Sequence, residues 1–376
     1  MRRRENIQCE WFENPNREWL EKAWIELEQE TQVSFFLSWL WIGTWIDTFV
    51  EDFTVVEARL NGKTVGLGIL VTQPFLFKAN PFRRKHYLHR TGVAQEDQIW
   101  IEDNDFLIAS EYASEIRTAM LSSCAYWMNK TDALIVGACG TKEFSFTKQL
   151  GLIDRTTWET TNYFLQLEPL KQSKDALLKS ISRSSRYQIT RSLRKYSEIG
   201  DIIVERATTF SEAINLLSIA EPYHKARWGS GKQGSGFFNS KFMKFHRKLI
   251  QNGLLTSAIE INHVRAGDET IGIVYNFRYN NRVYFYLGAM NYKHSEPQYK
   301  PGLVAHYLLI EKAIAEGVDI YDFMGGAARY KATFSDVQGN LAVYQFEHPR
   351  PLLSVENHIR KIKQTLIEKK HAYYSK

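Results

Sequence analysis

Two stretches of this chain lie about 200 residues apart and share one pattern, GKTVGLGIL at 62–70 and GDETIGIVY at 267–275. Each sits in a β-rich run and belongs to the same larger succession: a helix, then strands, then a helix, then a strand. In the first half, 15–30 has helical spacing at Trp19, Leu20, Ala23, Trp24 and Leu27, behind Asn14 and Pro15 as a start signal. The run 53–71 reads as a hairpin turning at Asn61-Gly62, 106–129 as a helix and 132–138 as a short apolar strand. In the second half, 210–220 and 237–252 read as helices, 254–291 as three antiparallel strands, 302–316 as a helix and 318–325 as a strand. A duplicated unit accounts for this order better than chance. At 376 residues the chain also exceeds the usual size of one core. The expected fold class is α/β (α+β), with two tandem domains, each a mixed, mostly antiparallel sheet flanked by helices. The boundary falls near LEPLKQSKD (167–175), which gives domains at 1–168 and 169–350 and a basic helical tail at 351–376.

Charge and thiols bound what such a unit binds. A formal charge of +6 is modest for this length and points to an anionic ligand or one local basic surface rather than general coating of nucleic acid; no DNA partner is expected. Aromatic residues make up 14%, with 10 Trp and 19 Tyr, which favours clefts or sheet faces rich in rings. Cys9, Cys124 and Cys139 are too few and too scattered for a disulfide framework or a zinc site, which fits a reducing compartment and no metal. The start MRRRENIQCEW has no apolar stretch of leader length behind its basic residues. The run VSFFLSWLWIGTWI (33–46) falls short of the roughly 20 residues that span a bilayer and reads as a buried helix or a cleft wall. The expectation is a soluble, cytoplasmic protein with no integral membrane segment.

Three stretches have the residue types for chemistry. The stretch 176–200 has no proline or glycine before Gly200 and reads as one long helix. On it Lys179, Arg183, Arg186, Arg191 and Arg194 share an arc of roughly 140°, opposite Leu178, Ile181, Ile189, Leu193 and Tyr196. Such a face is either a groove for phosphates or carboxylates between the halves or a solvated helix surface. In 237–253, His246 stands among aromatics, as a general base near neutral pH or as a packed histidine. Upstream, 222–236 reads as a mobile loop, a lid over substrate or a plain surface connection, and it lacks the residue order of a Walker loop. In 297–317, Pro301-Gly302 opens a helix whose first amides have no capping side chain. They are free to meet an anion such as a pyrophosphate, or they simply start a helix. This helix leads into YDFMGGAARYKATF (321–334), where Gly325 and Gly326 permit positive φ or close backbone approach and Lys331 follows shortly after.

The runs FHRKLIQNG, IGIVYNF, YFYLGAMN, YKPGLVAHYLLIEKAIAEGVDIYDFMGG, RYKATF and SRSSRYQITRSLRKY together resemble the GNAT acyltransferase superfamily. Within it they are similar to the tandem-domain branch that holds the Fem aminoacyl transferases and the CelD-like acetyltransferases of polysaccharide clusters. The resemblance is strong over about 175–335 and architectural over 1–165. It implies two tandem GNAT-like domains and direct transfer of an acyl group to an amine or hydroxyl acceptor, with no covalent enzyme intermediate. It places the donor's pyrophosphate at Lys300, Pro301, Gly302 and Leu303, where the Q/R-x-x-G-x-G/A signature of simple GNAT enzymes is missing. It places the acceptor beside Asp322, Gly325, Gly326, Tyr330 and Lys331, with Lys331 contacting a phosphate or the developing oxyanion. Asp322 or His246 would remove the amine's proton, Asp322 being equally suited to cap the glycine bend. Arg183, Arg186, Arg194 and Tyr286 complete the expected substrate surface. The first half has no counterpart of YKPG or of the lysine-aromatic exit and is expected to be a degenerate copy that shapes the cleft.

The implied function is an N-acyltransferase that takes the acyl group of acyl-CoA, acetyl-CoA foremost, to an amino group. The acceptor is a small anionic or sugar-linked molecule: a sugar, a sugar nucleotide or an amino-acid conjugate. The alternatives are a Fem-type transferase using aminoacyl-tRNA, against which stands the want of a long coiled arm in the second half, and a non-catalytic GNAT-like binding module.

Overall fold

The hairpin and helix signals of each half become matching sets of elements in the computed structural model, which describes residues 7–74, 84–141, 143–144, 147–173, 175–231 and 234–350. The expected tail at 351–376 lies outside the described residues. The first half runs β1 (Gln8–Glu13), α1 (Arg17–Gln29), α2 (Trp39–Phe49), β2 (Thr54–Leu60), β3 (Lys63–Pro74), β4 (Arg84–Leu88), β5 (Leu107–Ile108), α3 (Ala113–Trp127), β6 (Ala133–Gly140) and β7 (Ile153–Gln166). The second runs α4 (Ala176–Ser180), α5 (Arg183–Ser197), β8 (Ile202–Arg206), α6 (Phe210–Trp228), α7 (Ser240–Gly253), β9 (Ile259–Ala266), β10 (Glu269–Tyr279), β11 (Arg282–Met290), α8 (Pro301–Ala315), β12 (Ile320–Gly325), α9 (Arg329–Phe334) and β13 (Val337–Glu347).

The strands form one sheet in the order β1-β2-β3-β4-β6-β13-β7-β12-β11-β10-β9-β8, with β5 on β3 beside this path. The order is a palindrome: β2, β3, β4 and β6 answer to β9, β10, β11 and β12. The last strands are exchanged, since β7 follows β6 in the chain yet pairs with β12, and β13 follows β12 yet pairs with β6. Among the described residues the neighbouring strands are antiparallel except β4–β6 and β11–β12, so each half is the mixed, mostly antiparallel sheet expected.

Helices cover both faces. α3 closes an outer core with the first half's strands, and α4, α5 and α8 close another with the second half's. A third core joins the halves. The apolar run 33–46 supplies Phe35, Phe36, Trp41 and Trp45 to it, with Phe35 stacked 4.3 Å from Phe277 and Trp41 edge-on 4.8 Å from Phe245. Each such ring, fully buried, contributes about 1.5–3 kcal/mol. No helix among the described residues is long and apolar enough to cross a membrane.

Three helix boundaries differ from the sequence reading. The long basic helix is two: Ile181 is extended, and Ser182 Oγ caps α5 by accepting from the Ser185 amide at 3.1 Å. Arg186 folds back and donates from Nε to the Leu178 carbonyl at 2.8 Å, satisfying an end of α4 that a continuous helix would not leave open. α6 continues past 220, through Pro222, to Trp228, held at its start by a Thr209–Glu212 capping box. The helix expected from 106 begins at Ala113, because Leu107 and Ile108 pair with β3 instead.

Candidate active site

Strands β11 and β12 pair only over Arg282–Tyr284 and Ile320–Asp322, and then part. α8 starts beside this gap. Its cap residue Lys300 donates its amide to Ser192 Oγ at 2.9 Å, Pro301 has no N–H, and no side chain among the described residues caps the helix, which leaves the amides of Gly302 and Leu303 without a side-chain partner there. A Cβ on Gly302 would meet nothing nearer than 4.0 Å, so the helix end is open. Further along α8, His306 is buried in the gap, stacked 4.6 Å from Tyr330 and edge-on 4.5 Å from Phe285. Its Nδ1 has no partner among the described residues, and burial, with the Lys331 charge, pushes its pKa down to about 3. At the mouth stand the exposed rings of Trp228 and Tyr292, with the Arg227 guanidinium 5.9 Å from each.

The glycine bend closes the other side. Gly326 has φ 107, a left-handed value that a side chain would strain. The chain then turns into α9, and Lys331 reaches back to donate to the Gly325 carbonyl at 2.5 Å and the Met324 carbonyl at 3.3 Å. On the opposite face the Gly325 amide donates to Glu102 at 2.9 Å, and a Cβ on Gly325 would stand 2.9 Å from that carboxylate. Glu102, 4% exposed, also accepts from Trp100 Nε1 at 2.8 Å. Burial pushes the Glu102 carboxyl up to about 7, with Asp322 nearby adding to the rise. Burial pushes the Lys331 ammonium down to about 8, against the pull of Glu102 and Asp322. Asp322 is engaged at both oxygens: Arg282 Nη2 donates at 2.6 Å and the Met324 amide at 2.7 Å. Burial raises its carboxyl above the usual range and Arg282 opposes the rise.

In the first half the equivalent gap is filled. β4 and β6 pair over Lys85–Tyr87 and Ala133–Ile135 and then part, as β11 and β12 do. Asn104 occupies the opening: its Nδ2 donates to the carbonyls of Leu88 at 2.9 Å and Gly137 at 3.0 Å, and its amide donates to Ala138 at 2.8 Å. With Nδ2 so engaged, Oδ1 accepts from His89 Nδ1 at 3.0 Å. The loop that carries this plug also carries Trp100 and Glu102 into the second half's site.

The other sequence candidates separate. Tyr286 OH donates to the Ile99 carbonyl at 2.6 Å, so it accepts from His246 Nε2 at 2.9 Å, and Nδ1 is left to accept from Tyr275 OH at 3.3 Å. His246 is fully buried, its pKa pushed down to about 3 by burial, and its contacts are those of a packed residue bridging the halves. α5 packs on α8 and beside β8. Arg183 and Arg194 are therefore exposed on the outside of the second half and line no groove between the halves, while Arg186 is spent on the α4 carbonyls. Asp322, Gly325, Gly326, Tyr330 and Lys331 do come together, and Lys300–Leu303 stand at the start of α8. Glu102, Trp100 and His306 were not anticipated. The signal available for Glu102 was a cluster of acids, Glu102, Asp103 and Asp105, set between Ile101 and Phe106.

Residues 183–332 match the family model described as an acetyltransferase (GNAT) domain. This segment is a GNAT domain. Among solved structures, the whole chain is similar in fold to FemX, with TM-score 0.58 and 12% identity over 92% of this chain and 99% of the other. It is also similar to L-PGS from Bacillus licheniformis, with TM-score 0.50 and 9% identity over 91% and 94%. No curated protein matches by sequence. The GNAT segment holds the open gap, α8 and the glycine bend, whereas Glu102 comes from outside it.

Proposed function

We propose that the chain is an acyl-CoA-dependent N-acyltransferase, working in the cytoplasm on an amino group of a sugar, sugar nucleotide or amino-acid conjugate. The observation that carries this reading is one open gap ending at one proton-carrying pair: Glu102 and Lys331 flank the Gly325 peptide where β11 and β12 have parted. The donor set fits the group. Open amides at Gly302 and Leu303, the Lys300 and Arg227 charges and the rings of Tyr292 and Trp228 suit a pyrophosphate-bearing nucleotide. Lys300, Pro301, Gly302 and Leu303 would hold it, and Tyr330 on His306 would wall its arm.

Bound acyl-CoA supplies a thioester carbonyl and a thiol leaving group. Glu102, ionised above about 7, takes the proton of the attacking amine. Lys331, protonated below about 8, presents the N–H that Met324 and Gly325 leave free to the developing negative charge. Asp322 holds the bend, one oxygen on Arg282 and the other on the Met324 amide. His246 positions Tyr286 across the halves.

Thermal unfolding with acetyl-CoA and longer acyl-CoAs tests the donor. A rise of several degrees at saturating ligand supports it. No rise with any acyl-CoA, together with a rise on adding aminoacyl-tRNA, replaces it with the Fem-type reading, and no rise with either leaves a binding module.

A further inference from the structure

Between the halves, at the end of β6, lies a cavity of about 850 Å³ that the proposed transfer does not use. Its wall carries Asp103, Asp105, Arg117 and Glu143 from the first half and Arg282 and Asp319 from the second. Most of these charges cancel in place. Arg117 Nη2 pairs with Asp105 at 2.6 Å and Glu143 at 3.1 Å, and Asp319 pairs with Lys171 at 2.9 Å.

Two groups remain. The Asp103 carboxylate has no ion pair or hydrogen bond among the described residues. Among the described residues the Arg282 guanidinium has one acceptor, Asp322 at 2.6 Å, and its buried Nε has none. Its Cζ lies over the rings of Phe164 and Tyr284, 4.8 and 5.0 Å from their centres, which restricts where the guanidinium can move. Asp103 and Arg282 attract each other without forming an ion pair, so each keeps unmet hydrogen-bonding capacity at the wall, and a ligand of opposite polarity meets it.

We propose that this cavity binds a zwitterionic amine of amino-acid type, its ammonium on Asp103 and its carboxylate on Arg282. The volume lies in the range of small-molecule sites and leaves room for a side chain or a short attached group. Burial, with Asp322 nearby and against the pull of Arg282, raises the Asp103 carboxyl to about 6, so it is ionised at pH 7.5, where the ligand is a zwitterion. Arg282 is also the side chain that holds Asp322, and Asp322 holds the Met324 amide. A ligand on Arg282 therefore touches the frame of the glycine bend through one residue.

The test is saturation-transfer NMR on the full chain at pH 7.5 with the common α-amino acids, one at a time. At least one is expected to bind. Its carboxamide and its N-acetyl form, each lacking one charge, are expected to bind roughly tenfold more weakly or worse. Asp103→Asn should weaken the zwitterion to the same degree and leave the N-acetyl form unaffected. If that variant does not fold, Ala113→Phe at the cavity wall should abolish binding by filling it. No binding by any amino acid to the wild type, or a ligand that binds Asp103→Asn as well as wild type, overturns the proposal. Because no donor is needed, the outcome is separate from the transferase reading: amino-acid binding without an acyl-CoA shift sinks that reading alone, and the reverse result sinks only this one.

Discussion

Glu102→Gln keeps the shape of the side chain and removes one charge from behind the glycine bend. Burial raises the Glu102 carboxyl from 4.5 to about 7, and a displacement of that size corresponds to about 3 kcal/mol. Between about pH 4.5 and 7 the unfolded chain has released this proton while the folded chain still holds it. The group's contribution to stability is therefore whole below 4.5 and is lost as pH rises through about 7. Glutamine has no proton to release. The difference in unfolding free energy between the variant and the wild type, from denaturant titrations at a series of pH values, should move in the variant's favour by about 3 kcal/mol between about pH 4.5 and 8. Altered bonds to Trp100 and Gly325 add an offset that does not vary with pH. Activity should move the other way. Loss of the base lowers kcat/KM by about 10²–10⁴-fold and erases the rising limb of the pH profile near 7. The falling limb, set by Lys331 near 8, should move to lower pH, since a carboxylate that favoured its protonation is gone. A stability difference that stays flat with pH, or a rising limb that survives, refutes the reasoning, because some other group would then be titrating.

Lys331→Met should lower kcat/KM by at least about 10²-fold and remove the falling limb, with an unchanged circular-dichroism spectrum; wild-type activity would take Lys331 out of the site. Asn104→Ala leaves the buried carbonyls of Leu88 and Gly137 without their donor, at a cost of about 2–4 kcal/mol in a denaturant titration, and a loss under about 0.5 kcal/mol would mean that the plug is dispensable. Tyr286→Phe strips the Ile99 carbonyl and His246 Nε2 of a partner and should cost about 1–3 kcal/mol. It should leave both limbs of the pH profile in place, since His246 is neutral throughout that range; a shifted limb would return His246 to the proton chemistry.

Much of this molecule is written locally. The hairpin at Asn61-Gly62, the helix opening at Pro301 and the bend at Gly325-Gly326 follow from spacing and turn chemistry within a dozen residues, and the repeat of 62–70 in 267–275 is read by comparing two such stretches. The candidate role of the segment around Lys331 came instead from the family resemblance, whose motif is contiguous here. The arginine face of 176–200 misled for the converse reason. Helical spacing placed its charges on one arc, but Ser182 as a cap and Arg186 as a clasp broke the helix, and packing on α8 turned the remaining charges outward.

What the chain's order of residues settled was the elements, their duplication and the open helix end, since hydrogen bonding in helices and turns depends on near neighbours. Packing alone decided the exchange of β7 and β13, the plug of one gap by Asn104 and the arrival of Glu102 at an amide 223 residues away. It also decided the protons. A carboxyl's affinity for its proton depends on how much water the whole folded interior removes from around it, and no stretch of sequence holds that quantity.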